Sequence, residues 1–495
     1  MIKRTSFRVR AAGLAALMAL ATPAAGAFAQ ATSASPDSAR IAARLAAVLD
    51  TGALARAHWG IDVRDARTGR VLYGRNAQRL FIPASNLKLV VAAAAAHHLP
   101  PDFQYRTRFL ATGPVRDGTL AGDLVVRGAG DPTISGRYHE TMTVLLQSFA
   151  DSLRARGITR ITGGLIADET AWPYEPVHGD WEVYDVNWWY AARTGPLGFN
   201  DNAIDFRVAP GTVGRPARIT WQPETRAFTF RNDTRTIAAG GRATLDFDRV
   251  AGTDSIFAYG AIPADASPNT ESFAVRDPAH YFGTVLAEVL ARAGVAVAPR
   301  VRIVRPPQAA PEATLLFEHR SPPLPRIIGP VLQTSQNWFA EQLVRTLGRE
   351  IANEGSWRAG LDVERRFLSD VVGIDSSAFR LRDASGLSGG NLVTPAALAM
   401  LLVHVQRDAR QQIVSDALPV SAAATGSLRQ RFQDLPGRVR AKTGSIRNVD
   451  SLSGFLRASS GRELAFSIIV NGTGIPSGRM RPVIDDAVRI LAAEL

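Results

Sequence analysis

Between about residues 103 and 305 the chain is written in short alternating runs separated by Gly, Thr, Asp and Pro: "FQYRTRFLATG", "LAGDLVVRGAGDPT", "ITGGLIAD", "NAIDFRVAPG", "RAFTFRND" and "ATLDFDRV". A period of two puts one face of each run against a core, so these read as strands joined by turns. Helical stretches interrupt them near 143–156 and 278–294. The flanks read differently. Ahead of the block come a helical "SARIAARLAAVLD" and a hairpin "HWGIDVRDARTGRVLYGRNA". Then "FIPASNLKLVVAAAAAHHL" predicts a helix that starts close to Ser85 and is buried on most sides. Past the Pro-rich "VRPPQAAPEA" the pattern is helical from about 313, through "SQNWFAEQLVRTLGREI", "WRAGLDVERRFLSDV" and "TPAALAMLLVHVQRD". It closes with strands in "VRAKTGSI", "DSLSGFLRA" and "LAFSIIVNG" and a helix over 481–495. The simplest architecture joins the early hairpin and helix to the late helices and strands in one α/β domain. The β-rich block is then a long insertion within it.

The first 29 residues carry Lys3, Arg4, Arg8 and Arg10, then "AAGLAALMALA", and end in the small-x-small "AFAQ". This is the pattern of a secretory signal peptide cleaved after Ala29. Its apolar run is too short for a stable membrane span, so the expected location is the periplasm, in soluble form. Export favours disulfides, yet the chain has no Cys. Packed cores must hold it, and thiol catalysis and Cys-based zinc sites are excluded. The length and 46% apolar content suit about three domains. The 57 Lys and Arg outnumber 45 Asp and Glu, but four of the positives lie in the signal. No basic run is interleaved with aromatics, which argues against nucleic acid. The modest excess is compatible with weak attraction to a membrane or anionic envelope surface, and a solvated Arg-rich surface accounts for it more simply.

Only three of those positives are Lys: Lys3 in the signal, Lys88 in "SNLK" and Lys442 in "RAKTGS". Burial or a neighbouring cation can strip an amine of its proton near neutrality, whereas a guanidinium stays charged. Ser85 and Lys88 stand at i and i+3, on one face of a helix. The helix N-terminus adds N–H groups and partial positive charge, so the pair forms a compact nucleophile and base. Lys442, Thr443 and Gly444 fall on a predicted strand, where Gly allows close approach of backbone or substrate. Lys442 and Thr443 suit a substrate carboxylate, and an edge strand can pair with an extended peptide. In "TSQNW", Ser335 and Asn337 flank one residue at a predicted helix start. Alone, each fragment has an ordinary reading: an N-cap at Ser85 or Ser335, a surface charge at Lys88, a strand turning at Gly444.

In this order, Ser-x-x-Lys, Ser-x-Asn and Lys-Thr-Gly are the signature of penicillin-recognising serine enzymes. The chain resembles in particular the low-molecular-mass class C penicillin-binding proteins, the D-alanyl-D-alanine carboxypeptidase/endopeptidases of peptidase family S13. That family also inserts two β-rich domains between the first two motifs. The stretches "GAGDPT" (128–133), "HRSPPL" (319–324), "DASGLSGGNLVTP" (383–395) and "TGSLRQRF" (425–432) match as well. The resemblance implies an α/β (α+β) serine-type β-lactamase/transpeptidase-like domain over 37–102 and 308–495. It implies an inserted β-rich domain over 103–172 and 271–307, and a second one nested at 173–270.

The resemblance also implies the roles. Ser85 attacks the carbonyl between two D-alanines of a peptidoglycan stem peptide or crosslink, with Lys88 as base. Ser335 and Lys442 relay the proton to the leaving amine, and Asn337 holds the acyl side. The N–H groups of Ser85 and Ser445 form the oxyanion hole. β-Lactams inhibit by trapping the acyl-enzyme, and neither cofactor nor metal is needed. An acid in the insertion that reads the free amine of diaminopimelate aligns with Asp185. Many relatives carry Arg after the second Ser of "GSGLS", where this chain has Gly389, which bears on side-chain preference. Gln336, inside Ser-x-Asn, is expected to point away.

Other readings fare worse. "GLSGG" at 386–390 fits the nucleophile elbow of α/β-hydrolases, but only His404 follows Ser388, no acid lies between them, and "LRDA" makes a poor strand. The eight His are scattered and no His-Glu-x-x-His occurs. A β-lactamase would lack the long insertion. The alternative of a different class is a weakly or non-catalytic peptidoglycan-binding scaffold with the same cleft. The intact Ser85, Lys88 and Lys442 count against it. Oligomeric state is not legible.

Overall fold

The computed structural model describes residues 36–495; the expected signal peptide lies outside the described residues. Both ends of the described chain meet in one five-stranded antiparallel sheet, ordered Val439–Ile446, Val449–Arg457, Glu463–Asn471, His58–Asp65, Val71–Arg75. The hairpin expected around "DARTG" is the last pair. Alternate side chains go to opposite faces. Trp59, Ile61, Val63, Leu452, Ile468 and Val470 pack on the helices Pro36–Leu49 and Ser477–Glu494. Phe455, Ala465 and Ile469 face the other way, into a core shared with Lys88–His98, Leu324–Gln333, Asn337–Ala352 and Pro395–Arg407. Sheet strands covered on both faces need near-continuous apolar sequence, and "LAFSIIV" supplies it. Helix Lys88–His98 is buried from Lys88 to Ala96, as expected of a helix apolar on every side.

The block between these flanks builds sheets of its own. The largest runs Val301–Val304, Leu165–Asp168, Leu124–Arg127, Arg106–Ala111, Thr314–Arg320, mixing parallel and antiparallel pairs. Helices Val144–Arg154 and Pro278–Arg292, both anticipated, share its core. Two three-stranded sheets, one of 203–209, 218–222 and 269–274 and one of 229–237, 246–249 and 255–263, close on Phe206, Phe230, Phe247 and Phe273.

Three expectations shift. The helical pattern does not resume at 313: Thr314–Arg320 is a strand paired with Arg106–Ala111, and the first helix after it is Leu324–Gln333. "ATLLFEHR" has too few turns to show its period, and the open edge of the inserted sheet decides its state. The helix expected through "WRAGLDVERRFLSDV" is α-helical over Trp357–Arg366 and widens into a π turn at Phe367–Val371. The final helix begins at Ser477 rather than near 481.

Candidate active site

Ser85 lies in a 3₁₀ turn, Ala84–Leu87, that runs straight into the α-helix starting at Lys88. Residues i and i+3 eclipse in 3₁₀ geometry, and Lys88 Nζ sits 2.9 Å from Ser85 Oγ. The turn is strained: Ala84 has φ 49°, a left-handed conformation that costs a non-Gly residue about 1–3 kcal/mol and persists only where its surroundings impose it. They do. A Cβ on Gly386 would lie 1.9 Å from the Ala84 carbonyl oxygen, so only Gly lets that loop clamp the turn. Ser451 Oγ donates to the Pro83 carbonyl at 2.7 Å. The Asn86 amide, its nitrogen toward Lys442 O and its oxygen toward Ser453 Oγ, bridges the two at 2.7 Å each.

Lys88 is fully buried, and Nζ donates to Asn337 Oδ1 at 2.6 Å and to the Ser385 carbonyl at 2.7 Å. Burial pulls its pKa down to about 7, against the opposing pull of Glu341 and Asp383. Asn337 is the first residue of its helix, and its Nδ2 donates to the Tyr190 carbonyl at 2.7 Å. Both ends of this amide are therefore engaged, one by the lysine and one by the inserted block. Ser335, two residues earlier, has φ 59°, and its Oγ accepts from Lys442 Nζ at 2.8 Å. Gln336 does point away, but not into solvent. It caps the helix and donates to Asp201 at 2.9 Å, a buried acid also held by Arg137 and Ser135.

Lys442 is also fully buried, on the edge strand Val439–Ile446. Burial and then the positive charge of Lys88 push its pKa well below the ordinary amine value. Its Nζ donates to the Thr443 carbonyl as well, at 2.6 Å, and Thr443 Oγ1 donates to Ser427 Oγ at 3.1 Å. A Cβ on Gly444 would stand 2.3 Å from Ser451 Oγ and 2.9 Å from Ser85 N. This glycine lets the strand lie against the Ser85 turn. Ser445 Oγ meets Ser477 Oγ at 2.6 Å.

Two hollows open on Ser85 and Ser335. The larger, about 920 Å³, also reaches Asn337, Ser445, Asp180, Glu182, Asp185, Tyr190, Gly389 and Arg447. The smaller, about 210 Å³, continues past Thr443 and Gly444 to Arg431, Asp450 and Arg481. Asp185 lies in the larger one, accepts from Tyr190 Oη at 3.0 Å, and is held above the usual carboxylate range by burial and then Glu182, with Arg447 opposing. A Cβ on Gly389 would meet open space. Asp180 is tied to Arg382 at 2.8 Å and held below its ordinary value by that contact.

Sequence reasoning passed over the residues that build the Lys88 pocket. Glu341 accepts from Ser385 N and Trp357 Nε1, both at 2.7 Å, and burial, then the charge of Asp383, raises its pKa. Asp383 accepts from Gly386 N, Ser388 N, Asn391 Nδ2 and Trp181 Nε1. It thereby shapes the loop whose Ser385 carbonyl meets Lys88. The available signal was Glu341 at i+4 from Asn337. Asp450, buried with Oδ1 lacking a partner, and Arg481 were also missed. Ser388 is buried and donates to Asp180 at 3.2 Å, while His404 lies against Asp408, so the nucleophile-elbow reading falls. Among the described residues no cluster of His, Cys, Asp and Glu could hold a metal, and no helix is long and apolar enough to cross a membrane.

Comparison with known proteins agrees with this geometry. Residues 41–494 match the model of the D-Ala-D-Ala carboxypeptidase 3 (S13) family. A D-alanyl-D-alanine carboxypeptidase of Actinomadura sp. (strain R39) is 35% identical over 461 residues, covering 90% of this chain and 83% of that one. The crystal structure of penicillin binding protein 4 from Haemophilus influenzae superposes with a TM-score of 0.79 at 22% identity, over 91% of this chain and 98% of the other. The same protein complexed with a β-lactam gives 0.73 at 23% identity over the same shares. At such identity these structures speak for the fold alone, an α+β transpeptidase-like body with inserted β-rich parts. The chain belongs to the D-Ala-D-Ala carboxypeptidase 3 (S13) family.

Proposed function

We propose that this S13 family member cleaves peptidoglycan stem peptides through an acyl-enzyme on Ser85, with Lys88 as the base. Its activity class follows from the family: it is a serine-type D-Ala-D-Ala carboxypeptidase. The observation that carries the mechanism is Lys88 Nζ, fully buried, 2.9 Å from Ser85 Oγ and with a pKa near neutrality. A base works best when its pKa lies near the working pH.

Neutral Lys88 takes the Ser85 proton as Oγ attacks the carbonyl carbon between two D-alanines. The oxyanion is received by the N–H groups of Ser85 and Ser445. As the C–N bond breaks, the leaving D-alanine amine takes, through the relay of Lys442 and the Ser335 hydroxyl, the proton that Lys88 accepted from Ser85, which returns Lys88 to its neutral form. Thr443, Gly444 and Lys442 hold the leaving carboxylate, and Arg481 extends that side of the cleft. Water then attacks the ester with Lys88 again as base. Asn337 orients Lys88 and the acyl amide. Asp185 reads the amine of the third-residue side chain, and Gly389 leaves that subsite more open than an Arg would. A crosslink fits the same cleft, which gives endopeptidase activity alongside, and a β-lactam acylates Ser85 as inhibitor. The enzyme works in the periplasm after removal of residues 1–29. The bounds expected at 270 and 307 move, because Asn269–Ala274 and Thr314–Arg320 each pair within an inserted sheet: the catalytic domain comprises 37–102 and 321–495, with 103–172 and 275–320 as one insertion and 173–274 as another.

Intact-protein mass spectrometry after brief incubation with benzylpenicillin tests this. A persistent single adduct on the Ser85 peptide, absent in Ser85→Ala, is expected. No adduct with intact drug would favour the scaffold, and no adduct with hydrolysed drug a β-lactamase.

A further inference from the structure

A hollow of about 710 Å³ lies apart from the cleft, sharing no lining residue with it. It is formed by strand Arg218–Gln222, the turn after it, and the C-terminal part of helix Pro278–Arg292. One wall is Trp221, a half-buried indole backed by Phe228 and Phe230 at centroid distances of 5.5 and 5.4 Å. That backing fixes the ring and presents a flat apolar surface. Opposite it stands Glu288, whose side chain is only 9% exposed. Its Oε1 accepts from Arg226 N at 2.9 Å, while its Oε2 is buried without a hydrogen-bond partner. A carboxylate oxygen left so is unfavourable, and a turn of the side chain toward the hollow would bring it to a donor there.

The remaining lining limits which donor. Glu224 and Glu288 are balanced by Arg226 and Arg292, so neither an anion nor a cation is favoured by net charge. The Arg226 side chain is 77% exposed and rests its Nε 3.5 Å from Glu288 Oε1, at the rim where a ligand's oxygens would meet it. A neutral molecule with one apolar face, and hydroxyl and amide groups around its rim, meets all these demands: it stacks on Trp221, donates to Glu288 and accepts from the arginines. We propose that this hollow is a glycan site that takes a neutral N-acetylated amino-sugar segment of the polymer whose peptides the cleft cuts. The choice of that sugar rests on the peptidoglycan reading above. The inserted block would then anchor the enzyme on the glycan while the cleft works on the peptide.

The test uses the full mature chain and the β-1,4 tetramer of N-acetylglucosamine, which carries neither charge nor peptide. Binding is followed by calorimetry and tryptophan fluorescence, and benzylpenicillin acylation of Ser85 is measured on the same samples. The unaltered protein is expected to bind, and Trp221→Ala and Glu288→Gln each to weaken binding at least about tenfold, the scale of one buried hydrogen bond to a charged group. Acylation should be unchanged in both. Glu288→Gln keeps the side-chain volume, so loss there with normal acylation is not a folding defect. No binding by protein that acylates normally would overturn the glycan site and leave the catalytic reading intact. Undiminished binding in both variants, or displacement of the tetramer by a free stem pentapeptide, would overturn it too. Binding that weakens in the variants of a chain that never acylates would support the glycan site and sink the catalytic reading.

Discussion

The two lysine pockets of the cleft are both sealed from solvent, but they are built in opposite ways. Around Lys88 the chain places Glu341 and Asp383, whose negative charge partly offsets burial and leaves the amine near neutrality, at about 7. Around Lys442 the influence added to burial is the positive charge of Lys88, and its pKa falls well below the ordinary value. Two buried amines in one cleft do not both keep a proton cheaply. The carboxylates therefore decide which keeps it longer, and they back Lys88. Burial alone makes an amine give up its proton. Burial with a nearby carboxylate makes one that can both take and return a proton at neutral pH, as acylation and deacylation require.

Substituting the lysines is the strongest way to break this contrast. Lys88→Arg keeps the charge but removes the base, and the rate of benzylpenicillin adduct formation should fall by about 10³-fold or more. Lys442→Arg should cost less, about 10²-fold, because it disturbs a relay rather than the proton acceptor. Equal losses would erase the distinction.

The pH profile sharpens it. Acylation should rise with pH and level off above about 7 as Lys88 loses its proton, and a rate that falls across neutrality would contradict the base assignment. Stability carries the same signature. The unfolded chain keeps Lys88 protonated up to the ordinary amine value, whereas the native pocket sheds the proton from about pH 7 upward. Between those values the unfolded state binds more protons, so native stability rises with pH. Lys88→Met should flatten that slope in denaturant titrations.

Glu341→Gln should move the acid limb of the acylation profile to lower pH, because the carboxylate that raises Lys88 is gone. It should also cost about 1–3 kcal/mol of stability, since the amide cannot accept from both Ser385 and Trp357 as the carboxylate does. The smallest effect belongs to Asp185→Asn. Asp185 is half-buried and open to the cleft, and a charge contact there, partly screened by solvent, is worth about 1 kcal/mol, so KM for peptides with a free side-chain amine should rise only several-fold. Penicillin acylation should not change.

Much of this was readable because it is local. Ser85 and Lys88 are three residues apart, and any helical turn brings them to one face. The strands around Lys442 are each read from nine residues or fewer, and the nine buried residues from Lys88 to Ala96 declare their helix. Thr314–Arg320 was misread because its state depends on pairing with Arg106–Ala111, some 200 positions earlier. Gln336 illustrates the same limit: its direction was anticipated, but its partner Asp201 belongs to a block that no local pattern ties to it.

Residue type and short-range spacing were enough to single out Ser85, Lys88 and Lys442 as candidates, because a chain that otherwise uses Arg has Lys at the latter two positions; the resemblance implied their roles. The pKa of Lys88, the strained turn at Ala84 and the engagement of Asn337 with Tyr190 came from folding. Each depends on groups far apart in sequence that share one low-dielectric pocket, and burial and charge act through distance in space, which linear order does not record.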